Sequence, residues 1–105
     1  MVGILNCAII TNEGNYTLTS LTLEEAKEIL VNKKIISAVG HKSTAQILTQ
    51  LLGVEVKENR IEFSQEIGQI CVVFKLNARI PEGKILTKEE IETVGYSFKK
   101  LVRNS

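Results

Sequence analysis

Ile35-Ile36-Ser37-Ala38-Val39-Gly40-His41-Lys42-Ser43-Thr44-Ala45-Gln46 is the stretch on which the reading of this chain turns. Residues 35–39 form a short apolar run, rich in branched side chains and stopped by Gly40, which predicts a buried strand. Ser43 followed three residues later by Gln46 has the form of a capping box, so a helix is predicted to begin just after His41. Ala45, Leu48 and Leu52 recur at helical spacing, Ile47 and Leu51 widen that apolar face, and Gly53 ends it. Strand, glycine turn and helix N-terminus in succession leave open N–H groups and a positive dipole end beside the single histidine of the chain. That is an anion site by construction, and phosphate is the usual anion.

Outward from this unit the pattern is consistent. Residues 2–10 are almost continuously apolar, too short for a typical helix, and read as a central strand interrupted by Asn6. A turn cluster at residues 11–15 precedes an alternating strand at Tyr16-Thr17-Leu18-Thr19. Thr22-Leu23-Glu24-Glu25 is a capping box opening a helix to about Val31, and residues 87–90 repeat the device ahead of Ile91. Val54-Glu55-Val56-Lys57 and Ile61-Glu62-Phe63 alternate and predict an interrupted strand or a hairpin. Residues 70–76 read as a second central strand, residues 77–84 as an irregular, charge-rich segment, and residues 96–102 as an edge strand or packed extension. Strands interleaved with three short helices imply a single α/β domain over residues 1–105, a mixed, partly parallel sheet covered by helices.

Composition narrows the function. The chain has 105 residues, enough for one core, with 44% hydrophobic and 24% charged residues, which are globular values. A net charge of +1 argues against a broad basic surface for long nucleic acid, while leaving room for a small anion in a local pocket. No apolar run is long enough to span a membrane, and the start lacks a signal peptide's charged segment and apolar centre. Cys7 and Cys71 both fall in strand-like runs and read as reduced, buried thiols, so a cytoplasmic location is expected.

Motifs exclude more than they assign. One histidine and no H-x-x-H leave no metal set, and neither a phosphate loop nor a Gly-x-Ser-x-Gly elbow is present, so neither a metal nor a cofactor is expected. Ser43 as a nucleophile competes with its role as a cap. The remaining polar candidates are Arg79 and Glu82, in an Arg-x-x-Glu spacing, and Arg60. If these groups surround a phosphodiester without a metal, the accessible nucleophile is the substrate's own ribose 2′-hydroxyl. His41 would then protonate the departing 5′-oxygen and Arg79 would stabilise charge on phosphorus oxygens.

Leu5-Asn6-Cys7 with Ile9-Ile10, then Ser37 through Gln46, Leu51-Leu52-Gly53-Val54, Asn59-Arg60-Ile61, and Arg79-Ile80-Pro81-Glu82-Gly83-Lys84-Ile85-Leu86 occur in that order. Taken together they resemble the viral anti-CRISPR ring nuclease family over essentially the whole chain. The N-terminal block departs from the archaeal viral pattern Leu-x-Asn-Ala, because Asn6 directly follows Leu5 as in bacterial-type members. The resemblance implies a homodimer that binds cyclic tetra-adenylate at the subunit interface and cleaves it by 2′-hydroxyl attack. The products would be linear di-adenylates ending in 2′,3′-cyclic phosphate, and type III CRISPR signalling would be antagonised. It implies His41, Arg79 and Glu82 as catalytic residues, Glu82 orienting Arg79 or the histidine or touching the ribose. Gly40, Ser43, Thr44, Arg60, Asn6 and Thr11 would contact the ligand. One His41 per subunit would give two symmetric cuts in a four-nucleotide ring. Two other readings are a dimer that sequesters or senses the ring without turnover, and a nucleic-acid-binding regulator.

Overall fold

The computed structural model describes residues 1–7, 10–77 and 87–105, with Lys88 in backbone only. In chain order the elements are β1 (Val2–Leu5), β2 (Tyr16–Leu21), α1 (Leu23–Leu30), β3 (Ile35–Ser37), α2 (Lys42–Leu52), β4 (Ile70–Leu76), α3 (Lys88–Val94) and β5 (Tyr96–Arg103). The strands form one mixed sheet in the order β2-β5-β4-β1-β3. β1 runs parallel to both neighbours, with Ile4 opposite Ser37 on β3 and Val72 on β4. β5 runs antiparallel to β4 and β2. The expected α/β sheet, partly parallel and with short helices, is thus what the chain adopts.

The apolar runs at residues 2–5 and 70–76 become the inner strands because both of their faces are covered. On one face, Val2, Ile4, Val72, Phe74 and Phe98 meet Ala26, Leu30, Ala45, Leu48, Leu52 and Ile91 from the helices, with α2 packed against both α1 and α3. Phe74, Tyr96 and Phe98 add an aromatic cluster with ring centroids 5.3–6.0 Å apart. On the other face Leu5, Cys71, Val73 and Leu101 lie with Ala38 beneath Phe63.

Three expectations are corrected here. Residues 54–66 form neither an interrupted strand nor a hairpin. Their alternation is satisfied by wrapping round the β3 side of the sheet: Val56 is buried with the helix-side core, whereas Phe63 is buried against the opposite face. Residues 96–103 are not an edge but an inner strand, and β2 takes the edge. The strand of residues 2–10 ends at Leu5, so Cys7 is exposed, while Cys71 is buried; both are free thiols. The Cys71 thiol is pushed up to about 11, first by burial and against a hydrogen bond with the Gly3 backbone. Among the described residues no helix is long and apolar enough to cross a membrane.

Candidate anion-binding site

The parallel strands β1, β3 and β4 all end on one side of the sheet, where open α/β sheets place their ligands. The chain leaves β3 at Ser37, runs through buried Ala38 and Val39, and reaches Gly40 and His41. His41 has extended backbone (φ −125°, ψ 126°) and its carbonyl accepts the first intrahelical bond, from the Ala45 N–H at 3.0 Å. It is therefore the N-cap, and the N–H groups of Lys42, Ser43 and Thr44 are the open donors of the first turn. The predicted Ser43–Gln46 capping box does not form. Ser43 sits inside the helix, and Gln46 Oε1 is buried with no hydrogen-bond partner among the described residues.

The helix start is held by residues 57–60. Ser37 Oγ donates to Lys57 O at 2.6 Å, the Asn59 N–H donates to Val39 O at 2.8 Å, and Asn59 Nδ2 donates to Ser37 O at 2.7 Å. This clamp brings the next residue onto the turn, and Arg60 Nη2 donates to Gly40 O at 3.2 Å. A Cβ on Gly40 would meet the Arg60 side chain at 3.6 Å, an ordinary contact, so neither backbone conformation nor space demands glycine there.

The three helix starts differ in their electrostatics. Thr22 and Thr87 form complete capping boxes with Glu25 and Glu90, and each helix carries two acidic residues in its first turn. The α2 start has no side-chain cap and no acid, and it places Lys42 at its first position, where a cation opposes the helix dipole. Exposed His41, Lys42 and Arg60 with half-buried Ser43 and Thr44 thus surround uncompensated N–H groups. Sequence reasoning passed over Lys42 and Asn59. The first is visible only once the N-cap is set at His41, and the second acts through a contact twenty residues away, which no local pattern displays.

Of the sequence-predicted site residues, Gly40, His41, Ser43, Thr44 and Arg60 are brought together at this turn. Asn6 follows β1, the strand beside β3, and is half-buried. Thr11 is used structurally, its hydroxyl donating to Phe63 O at 3.2 Å. Arg79 and Glu82 lie outside the described residues.

The family described as STIV B116-like matches residues 2–98. The chain belongs to the STIV B116-like family. A relative designated Uncharacterized protein 26, from Sulfolobus islandicus filamentous virus (isolate Iceland/Hveragerdi), is 46% identical over 74% of this chain and 67% of its own. The Bacillus subtilis (strain 168) protein Uncharacterized protein YddF is 36% identical over 97% of this chain and 96% of its own. The solved structure of B116 of Sulfolobus turreted icosahedral virus superposes with a TM-score of 0.82 at 24% identity, covering 97% of this chain and 98% of that one; at this identity it shows the fold.

B116-like membership corrects the ring-nuclease resemblance. The matched family is described by B116, and none of these three relatives carries the name of a nuclease, an anti-CRISPR protein or a nucleotide binder. The enzyme, its cleavage of cyclic tetra-adenylate, the homodimer binding that ring, and the sequestering and nucleic-acid-regulator readings lose their support with it. Among the described residues no group of three or more His, Cys, Asp or Glu side chains that could hold a metal ion converges. The exposed His41 makes no side-chain capping bond.

Proposed function

We propose that this B116-like protein, read as one domain over residues 1–105, binds a small phosphate-bearing anion at the start of α2. The observation that carries this reading is the contrast between α2 and its neighbours: among the described helices only α2 leaves its first turn without a side-chain cap and without an acid to offset the lysine at its first position. A bound oxyanion would accept from the Ser43 and Thr44 N–H groups and hydroxyls. It would also take charge-assisted bonds from Arg60 and His41, with Asn6 offering its amide from the end of β1. Gly40 would let the anion lie against the backbone. A cytoplasmic location, with both cysteines kept as thiols, goes with this reading.

The test is titration of the full chain, nitrogen-15 labelled, with inorganic phosphate and pyrophosphate. Amide shifts centred on Lys42, Ser43 and Thr44 are expected, with affinity reduced roughly tenfold in Arg60→Ala as a charge-assisted contact is lost. Saturable shifts elsewhere with a silent α2 start would overturn the proposal.

A further inference from the structure

The two edges of the sheet are finished differently. β3 is three residues long, and the segment at residues 57–59 closes over its C-terminal end through the bonds of Ser37 and Asn59. β2 is six residues long, pairs with β5 in unbroken register from Tyr16↔Arg103 to Leu21↔Phe98, and among the described residues has no strand on its other side. Its sequence, Tyr16-Thr17-Leu18-Thr19-Ser20-Leu21, contains no charge and no proline, the usual devices that discourage pairing at an edge.

Hydrogen bonding shows which backbone groups face outward. The Asn104 N–H donates to Asn15 O at 2.7 Å, whereas the Arg103 N–H donates to Gln69 O and its carbonyl accepts from the Gly68 N–H, so residue 104 faces the β2 side and residue 103 the β4 side. Alternation along an antiparallel pair then turns the backbone groups of Thr17, Thr19 and Leu21 toward β5, and those of Tyr16, Leu18 and Ser20 toward the open edge. On the same face as these side chains, Leu18 is 46% exposed, and exposed Lys99 stands opposite Ser20. β5 carries Lys99, Lys100 and Arg103, and neither β2 nor β5 contains an acidic residue.

We propose that the β2 edge docks an extended peptide of a partner protein as a sixth strand. The partner would place an apolar residue beside Leu18 and, two positions away, an acidic residue beside Ser20 that reaches Lys99. The two-residue spacing follows from the strand period, which puts alternate side chains on one face. A strand added beyond β2 would lie about 10 Å from β5, within the combined reach of a lysine and a glutamate side chain. Backbone pairing supplies the affinity, and Leu18 with Lys99 supplies the selection. This inference is independent of the anion site.

The probe is the blocked peptide acetyl-Thr-Val-Thr-Glu-Thr-amide, titrated into the nitrogen-15 labelled full chain. Shifts confined to β2 and slowed hydrogen exchange at the Leu18 and Ser20 amides are expected. A peptide with lysine in place of glutamate should bind roughly fivefold more weakly, and Lys99→Glu should invert that preference. Ser20→Pro removes an outward N–H without touching the ladder to β5, so it should abolish binding while β4 resonances stay in place. A silent β2, or equal binding of the two peptides by the unaltered chain, would overturn the proposal. So would β2 protection that grows with protein concentration in the absence of peptide, because a second copy would then occupy the edge.

Discussion

The two faces of the sheet are covered by different means. The helix-side face is closed by three regular elements whose apolar stripes interdigitate with Val2, Ile4, Val72, Phe74 and Phe98. The opposite face is closed by the irregular segment at residues 54–69, held by single contacts. Phe63 is seated against Cys71 and Gly3, and Gln65 is 2% exposed, donating to Gln69 O and Leu101 O. Arg103 secures that segment further, donating to Gln65 O at 2.7 Å. The regular face provides stability through many interchangeable contacts. The irregular face rests on a few, and it also sets the place of Arg60, so the candidate anion site inherits its geometry from the less redundant side.

The largest expected effect separates the faces directly. Phe63→Ala and Phe74→Ala should each cost about 3–5 kcal/mol by denaturant unfolding. Only Phe63→Ala should also weaken phosphate binding among the molecules that remain folded, because it loosens the segment carrying Arg60. Equal binding loss in both variants would erase the distinction. Next comes Gly3→Ala: its Cβ would sit 2.8 Å from Cys71 Sγ and 3.1 Å from Phe63 Cζ, so overpacking should cost up to about 3 kcal/mol. Adding Phe63→Leu should recover part of that loss; no recovery would mean that the Cys71 sulfur, not the phenyl ring, resists the methyl.

The irregular face should also be alkali-sensitive. Burial raises the folded Cys71 thiol from 9.0 to about 11, so the neutral form is favoured in the folded state. Its contribution is therefore whole below pH 9.0 and is lost as pH rises from 9.0 to 11, by about 2–3 kcal/mol in all. Unfolding free energies measured across that window check it, the difference between the unaltered chain and Cys71→Ala isolating the thiol's share. The smallest effect concerns the helix start: Lys42→Glu should raise stability by about 0.5 kcal/mol, as an acid replaces a cation at the dipole's positive end, and should lower phosphate affinity. A variant that loses stability, or keeps its affinity, would remove α2 from the comparison.

Local signals carried much of this fold. The capping boxes at Thr22 and Thr87 are where their sequence patterns place them, and the apolar runs at residues 2–5 and 70–76 are inner strands. The misreadings were of long-range origin. Alternation at residues 54–57 and 61–63 looks like a ladder, but its two apolar sets serve opposite faces of one sheet. Residues 96–103 resemble an edge until β2, some eighty residues earlier, is known to lie beyond them. Ser43-x-x-Gln46 has the form of a cap, yet the turn is already held at Val39 by Asn59, which moves the helix start to Lys42. The helix that follows His41 was legible from spacing, whereas the Arg60 contact joins residues twenty apart and has no local signature. The ring-nuclease assignment rested on resemblance, and the B116-like match over residues 2–98 replaces it.

The position of β5 has a consequence for how the chain is made. Among the described residues Tyr16–Leu21 has no sheet partner except Tyr96–Arg103, so a nascent chain still lacking that strand holds β2 unpaired and leaves one side of β4 bare. The sheet closes only when its last strand slots between two earlier ones, a contact of high sequence separation that slows folding. Until then the aromatic cluster of Phe74, Tyr96 and Phe98 cannot assemble, and the growing chain carries an open apolar seam of the kind that nascent-chain chaperones shield.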